Sequence, residues 1–282
     1  MGQKHQRTQS ALRRRCLETL LLCVAIYVLA GVGCATFQRR LIYFPTVFTS
    51  ERAEALARAE HLERWTVPGG KAIGWRRLSP VQPALGQVLV THGNAGCAFQ
   101  RGHYADAIQQ AAPLDVFFVE YPGYADRPGK PCERSLDDSA AEALQTLTTD
   151  RPTYLVGESI GTGVAAFLAG HSPSQVAGIA LLAPYNRLAD VAQAHMRIFP
   201  VRWMLSERFP AEDDLQSYSG PVAVLVGGQD KVVPQKFGHR LYHGYPGPKR
   251  LWEFPESDHE TLMTQPPAIW QQIVAFWKME RQ

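Results

Sequence analysis

The chain has 282 residues, 45% of them hydrophobic and 20% charged, with a formal net charge of +3. It is long and apolar enough for one well-buried α/β domain plus extra segments, and it does not have the composition of a disordered chain. No basic-aromatic stripe argues for a nucleic-acid partner, and the five cysteines include no C-x-x-C pair for zinc or dithiol chemistry.

Residues 1–15 are polar and basic, with Lys4, Arg7, Arg13, Arg14 and Arg15 and no acid. Residues 16–37 follow as an apolar run of ~18–20 residues, long enough to cross a bilayer as a helix. The charge before this run outweighs Arg39 and Arg40 after it. The positive-inside rule therefore puts the tail in the cytoplasm and the remainder on the non-cytoplasmic side, periplasmic or extracellular. Two routes to membrane attachment stay open: an uncleaved signal anchor, or a lipoprotein signal in which Leu29-Ala30-Gly31-Val32-Gly33-Cys34 presents Cys34 for lipidation.

Residues 38–63 read as a juxtamembrane segment with a short helix over 51–63; its Leu41-Ile42-Tyr43-Phe44-Pro45 is too apolar for a free linker and is expected to pack on the domain or sit at the bilayer interface. A single domain is expected over 64–282. Arg64 to Pro68 and Ala72 to Leu78 flank Gly69-Gly70 as a strand-turn-strand unit. From Gln87 onward strands and helices alternate. Strands are expected at Val88–Thr91, Val116–Val119, Tyr154–Val156, Val176–Leu182, Val222–Val226 and Arg250–Phe254. Helices are expected at Asp106–Ala112, Ser135–Thr148, from Gly163, and at Ala268–Met279. Apolar strands in this alternation predict a mostly parallel sheet with helices on both faces. Residues 184–219 are less regular and form a short cap region: a small lid over an acyl pocket, or an ordinary crossover packing on the sheet.

Gly157-Glu158-Ser159-Ile160-Gly161 is a G-x-S-x-G turn between an expected strand and an expected helix. In that setting the serine is held outward on a strained corner, and Gly157 and Gly161 remove side chains that would collide. Taken alone, the turn would equally suit a Ser159 that only caps the next helix. A nucleophilic serine needs a histidine to take its proton and an acid to hold that histidine. Asp230 and His259 each follow an expected strand, in the chain order serine, acid, histidine. Asp258 and Glu256 compete as the acid, behind Asp230. His103, His171, His195, His239 and His243 fall in helices or polar loops and read as surface residues. The glycine-rich turn His92-Gly93-Asn94-Ala95 follows the Val88 strand, where a backbone oxyanion donor is expected from Asn94, with Ile160 as its counterpart. His92 reads as a residue that orders this loop.

Together, His92-Gly93-Asn94-Ala95, Glu120-Tyr121-Pro122-Gly123-Tyr124, Gly157 to Gly161, Gly227 to Pro234 and Asp258-His259 resemble the α/β-hydrolase fold. The resemblance is to its membrane-tethered, serine aminopeptidase-like branch, and it covers roughly residues 37–265. It implies Ser159 as nucleophile, Asp230 as acid, His259 as base, and Asn94 and Ile160 as oxyanion residues. It also implies a serine hydrolase with carboxylesterase, lipase or thioesterase chemistry ahead of peptide hydrolysis, acting on a small-molecule or lipid acyl substrate. No metal or organic cofactor is implied. A non-catalytic binding module is the rival from another class, but such domains usually lose a triad member. The chain departs from the family after Tyr124, where Ala125-Asp126-Arg127-Pro128 replaces a Gly and a Ser and is expected to alter the pocket. Cys97 and Cys132 fall in loops expected at one sheet edge, where export would permit a disulfide.

Overall fold

The computed structural model describes the backbone of residues 2–279 and the side chains of residues 12–279. Helix α1 (Gly2–Ile42) runs directly into Phe44–Pro45, a two-residue strand that pairs in parallel with Ala95–Gly96. Helix α2 (Ser50–Ala59) is capped by Thr49 and buries Ala53 and Ala57. The main sheet begins with β1 (Glu63–Thr66), β2 (Ala72–Arg77) and β3 (Gly86–Thr91). Helix α3 (Gly102–Ala111), β4 (Leu114–Val119), α4 (Glu133–Gln145), β5 (Thr153–Glu158), α5 (Gly161–His171) and β6 (Val176–Leu182) follow. Three short helices, α6 (Leu188–His195), α7 (Val201–Met204) and α8 (Ala211–Asp214), occupy the cap region. The chain closes with β7 (Val222–Gly227), α9 (Gln235–Gly244), β8 (Lys249–Phe254), α10 (His259–Met263) and α11 (Pro267–Met279).

The eight strands lie in the order β1-β2-β4-β3-β5-β6-β7-β8. β1 and β2 pair antiparallel, β2 joins β4 antiparallel, and all other neighbours are parallel. Every residue of β3, β4, β5 and β7 is buried, as strands covered on both faces require. Strand alternation sorts the helices between those faces. Tyr154 stacks on Trp277 of α11, with ring centroids 4.6 Å apart. Gly157, three residues on and therefore on the opposite face, abuts α5: a Cβ there would lie 2.8 Å from Thr162 Cα. The mostly parallel α/β sheet expected from the sequence is what forms.

The structure differs from expectation at two places. The apolar helix does not stop at residue 37, because Gln38, Arg39 and Arg40 meet no helix breaker and Gln38 and Arg39 bond to the cap. Residues 38–63 do not trail as a separate juxtamembrane segment, since Tyr43, Ala53, Ala57 and Leu62 all lie in the core. The buried core therefore includes residues from Tyr43 onward, ahead of residue 64. Cys97 and Cys132 are free thiols at the starts of two helical turns. Burial, reinforced by nearby Glu120, pushes the Cys97 thiol above its ordinary range.

Candidate active site

Strand β5 ends at Glu158 and α5 starts at Gly161, so the chain reverses within Ser159-Ile160. Ser159 takes a φ of 51°, in the left-handed region that L-residues avoid. The corner is held by the Ser159 N–H donating to Leu182 O (2.9 Å) and by the Thr162 hydroxyl donating to Ser159 O (2.6 Å). Its tightness explains the glycines: a Cβ on Gly161 would overlap the Thr91 and His92 carbonyls. Ser159 is buried at the floor of a cavity of about 350 Å³, also lined by Asn94, Ile160, Tyr185 and Val232.

His259 and Asp230 come together from loops 29 residues apart. His259 Nδ1 donates to Asp230 Oδ2 at 2.7 Å, and the Asp230 side chain is fully buried. Asp230 Oδ1 accepts from the N–H groups of Val232 and Val233, both at 2.8 Å, which fixes the carboxylate plane. The competing acids are engaged elsewhere. Asp258 caps α10 through Thr261 N (2.9 Å), and Glu256 accepts from Gln229 (2.9 Å). Among the described residues, no hydrogen bond joins Ser159 Oγ to the His259 ring; such bonds are often long until substrate binds.

The His92-Gly93-Asn94-Ala95 turn is tied down from several directions. His92 is buried, with Nδ1 2.8 Å from Gly93 O and Nε2 3.4 Å from the Glu120 carboxylate, and its ring packs on Tyr121. Asn94 O accepts from the Tyr124 hydroxyl (2.8 Å) and from Phe44 N (2.9 Å), while Asn94 Nδ2 donates to Ile42 O (2.8 Å). Among the described residues, the N–H groups of Asn94 and Ile160 make no hydrogen bond to the protein. Two unspent backbone donors beside a buried serine are the equipment an oxyanion requires.

Sequence reasoning passed over three features. Glu158 is fully buried and paired with Arg101 Nη2 at 2.7 Å, with further bonds from Tyr104 OH (3.2 Å) and Gly93 N (3.3 Å). Burial alone would raise its pKa, but the Arg101 charge and hydrogen bonds, helped by His92 and His103, hold it below the ordinary carboxylate range. A charge inside an otherwise apolar strand end was the available signal. His195 is exposed, as expected of a surface residue, but it also lines the Ser159 cavity and donates from Nε2 to Val232 O (2.9 Å), joining the cap to the Asp230 loop. Leu41 and Ile42, at the end of α1, line the same cavity.

Residues 125–128 do not reshape that cavity. Asp126 pairs with Arg64 and Arg127 with Glu142, lining a separate hollow. Ala125 adopts a φ of 50°, where the family's glycine would sit without strain.

A family model described as the alpha/beta hydrolase fold matches residues 87–213. An uncharacterized protein of Mycobacterium tuberculosis, Rv2307c, is 33% identical over 247 residues, covering 84% of this chain and 86% of its own length. The chain belongs to the α/β-hydrolase fold family. The lysophosphatidylserine lipase ABHD12 of Mus musculus is 27% identical over 179 residues, 55% of this chain and 44% of that protein. Among solved structures, the Pyrococcus furiosus esterase Pf2001 superposes with a TM-score of 0.61 at 14% identity, over 85% of this chain and all of that one. Est1E from Butyrivibrio proteoclasticus, solved with ferulic acid bound, gives 0.59 at 15% identity, over 73% of this chain and 94% of its own. At such identities these two likenesses speak for the fold alone.

Proposed function

We propose that this hydrolase is a membrane-attached serine esterase or lipase that works through an acyl-enzyme on Ser159. The observation that carries the reading is the 2.7 Å His259–Asp230 bond, taken with a buried Ser159 on a strained turn. Ser159 Oγ attacks the substrate carbonyl carbon as His259 Nε2 takes its proton. Asp230 holds the Nδ1–H tautomer and stabilises the imidazolium. The tetrahedral oxyanion accepts from Ile160 N–H and Asn94 N–H, each donor contributing about 3–4 kcal/mol to the transition state. The imidazolium then protonates the leaving oxygen, sulfur or nitrogen, and water repeats the cycle on the acyl-serine.

The cavity favours an acyl group, because Ile160, Leu188, Val191 and Leu205 surround Ser159 with aliphatic surface. Helix α1 is read as an uncleaved anchor whose basic tail stays cytoplasmic and whose catalytic domain lies on the other side. Its span Leu12–Ile42 has a mean hydropathy of 2.4 over its most apolar window and is long enough to cross a bilayer. Cleavage before Cys34 would discard Tyr27 and Gly31, both of which meet the cap. A fluorophosphonate probe is expected to label the full chain and to leave Ser159→Ala unlabelled. Undiminished labelling of that variant would move the nucleophile elsewhere. A parallel screen of p-nitrophenyl esters and aminoacyl-arylamides should favour the esters.

A further inference from the structure

The cavity around Ser159 does not end at the catalytic groups. Leu41, Ile42, Ala192, His195 and Leu205 belong both to it and to a second, almost wholly apolar cavity of about 210 Å³. That outer chamber lies between α1 and the cap, with Cys34 and Ala35 on one wall and Met196 and Met204 on the other. Two adjoining cavities with these side chains between them therefore lie between the serine and the flank of the helix that, among the described residues, is suited to a bilayer.

The cap itself is built along that helix. Tyr27 OH donates to Ile198 O (2.6 Å), Tyr27 stacks on Phe199 with centroids 5.1 Å apart, and buried Gly31 lies beside Phe199 and Met204. Nearer the domain, Gln38 bonds to Ser206 N (2.7 Å) and Arg39 pairs with buried Glu207 (2.7 Å). At about 1.5 Å of rise per residue, the contacts from Tyr27 to Gln38 cover roughly 16 Å of helix. This is around half of a hydrocarbon core about 30 Å thick. A cap reaching Tyr27 thus stands beside α1 at bilayer depth. Its surface suits that depth, since Ile198 is 73% exposed and Trp203 90% exposed. So does its backbone, because hydrocarbon offers no water to bond with irregular carbonyls. Tyr27 serves Ile198 O, Gln193 serves Met196 O (3.2 Å) and Phe199 O (2.9 Å), and Gln38 reaches Met204 O (3.5 Å).

We propose that the gap between α1 and the cap is a lateral entrance through which one acyl chain of a membrane-embedded ester passes from the bilayer to Ser159. The occupant is a single hydrocarbon chain, because the walls are aliphatic and thioether groups with few polar atoms along them. The ester head would remain at the level of Arg39 and Arg40, where the helix meets the domain. This inference rests on the hydrolase reading above, and its test separates the two.

The full chain is placed in phosphatidylcholine vesicles and given 4-methylumbelliferyl oleate, which partitions into the bilayer, and water-soluble p-nitrophenyl butyrate. Ala35 lines only the outer chamber, so Ala35→Trp should slow oleate hydrolysis by about tenfold or more and leave butyrate hydrolysis within about twofold. Met204→Trp, on the facing wall, should discriminate in the same direction. Unchanged oleate turnover in both variants overturns the entrance. So does an equal loss of both substrates in both variants, because the walls would then be acting on the site as a whole. A wild-type chain that hydrolyses neither ester and takes no fluorophosphonate would instead overturn the hydrolase reading itself.

Discussion

The turn at Ser159 and the junction between α1 and the cap make a useful contrast. At the turn, five consecutive residues carry the structure, and each neighbour is held by a backbone or hydroxyl bond. At the junction, partners are about 170 residues apart, as with Tyr27 and Ile198 at a separation of 171, and apolar side chains are mixed with the polar contacts of Tyr27, Gln38 and Arg39. The turn is specified by what is forbidden, since a Cβ on Gly157 or Gly161 cannot be housed. The junction is specified by complementarity, which many apolar sequences satisfy. Chemistry demands the first kind of precision, and delivery of an apolar substrate needs only the second.

The largest expected effects fall on the catalytic side. Asp230→Asn should leave folding intact and lower kcat by about 10⁴ if the histidine tautomer is what Asp230 maintains. Asp258→Asn keeps most of a helix cap and should leave kcat near wild type. A small loss in the first and a large one in the second would reverse the assignment of the acid. Next is Arg101→Leu, which strands the buried Glu158 carboxylate and should destabilise the chain by about 3–5 kcal/mol in thermal or urea unfolding. The pH profile should change sign as well. In the wild type the Glu158 pKa is held below its ordinary 4.5, so its contribution is present above that pH and lost as pH falls through the folded value. Without Arg101 the same buried carboxyl resists ionisation, and stability should decline as pH rises. A profile of unchanged slope would mean that the ion pair does not hold the Gly93 loop.

This contrast also explains what the sequence could reveal. Gly157, Ser159, Gly161, Asp230 and His259 were legible because each is a special residue type at a strand end, where the fold tolerates few alternatives. Strands β3 to β7 were legible from apolar runs buried on both faces. Gly31 and Ala35 were not, because a membrane helix uses such residues whether or not anything docks on it. The place of His195 beside the Ser159 cavity was not legible, because helical position says nothing about what a cap helix faces. Packing of Tyr43 on the domain was legible from the apolar run Leu41 to Pro45, whereas the α2 alanines find their partners only in three dimensions.

Beneath the cap, Asp137 offers a mid-sized effect. Burial, followed by the charges of Glu133, Asp214, Asp138 and Glu207, pushes its carboxyl to about 8, and among the described residues Oδ1 has no hydrogen-bond partner. The folded chain keeps this group protonated while the unfolded chain ionises near 3.8, so it costs stability increasingly as pH rises from about 4 to about 8. Asp137→Asn should therefore raise Tm at pH 8 and change little at pH 4. A uniform shift at both pH values would show that packing, not ionisation, sets the cost.

The smallest effect is the sharpest test of the junction. Tyr27→Phe removes the hydroxyl bond to Ile198 O and retains the ring that stacks on Phe199. Hydrogen bonds between segments within membranes contribute about 0.6 kcal/mol on average, so Tm in detergent micelles should fall by no more than about 3 °C. Phe199→Ala deletes the stacked ring along with its buried area and should cost more, because aromatic pairs add about 0.5–1.5 kcal/mol beyond burial. If packing is what holds the cap to α1, the two variants should differ in that order, and the pair should lose less than the sum of the singles because both act through Tyr27. The reverse order would make the Ile198 carbonyl the anchor. The junction would then be specified as the Ser159 turn is, by a backbone group that must not go unsatisfied.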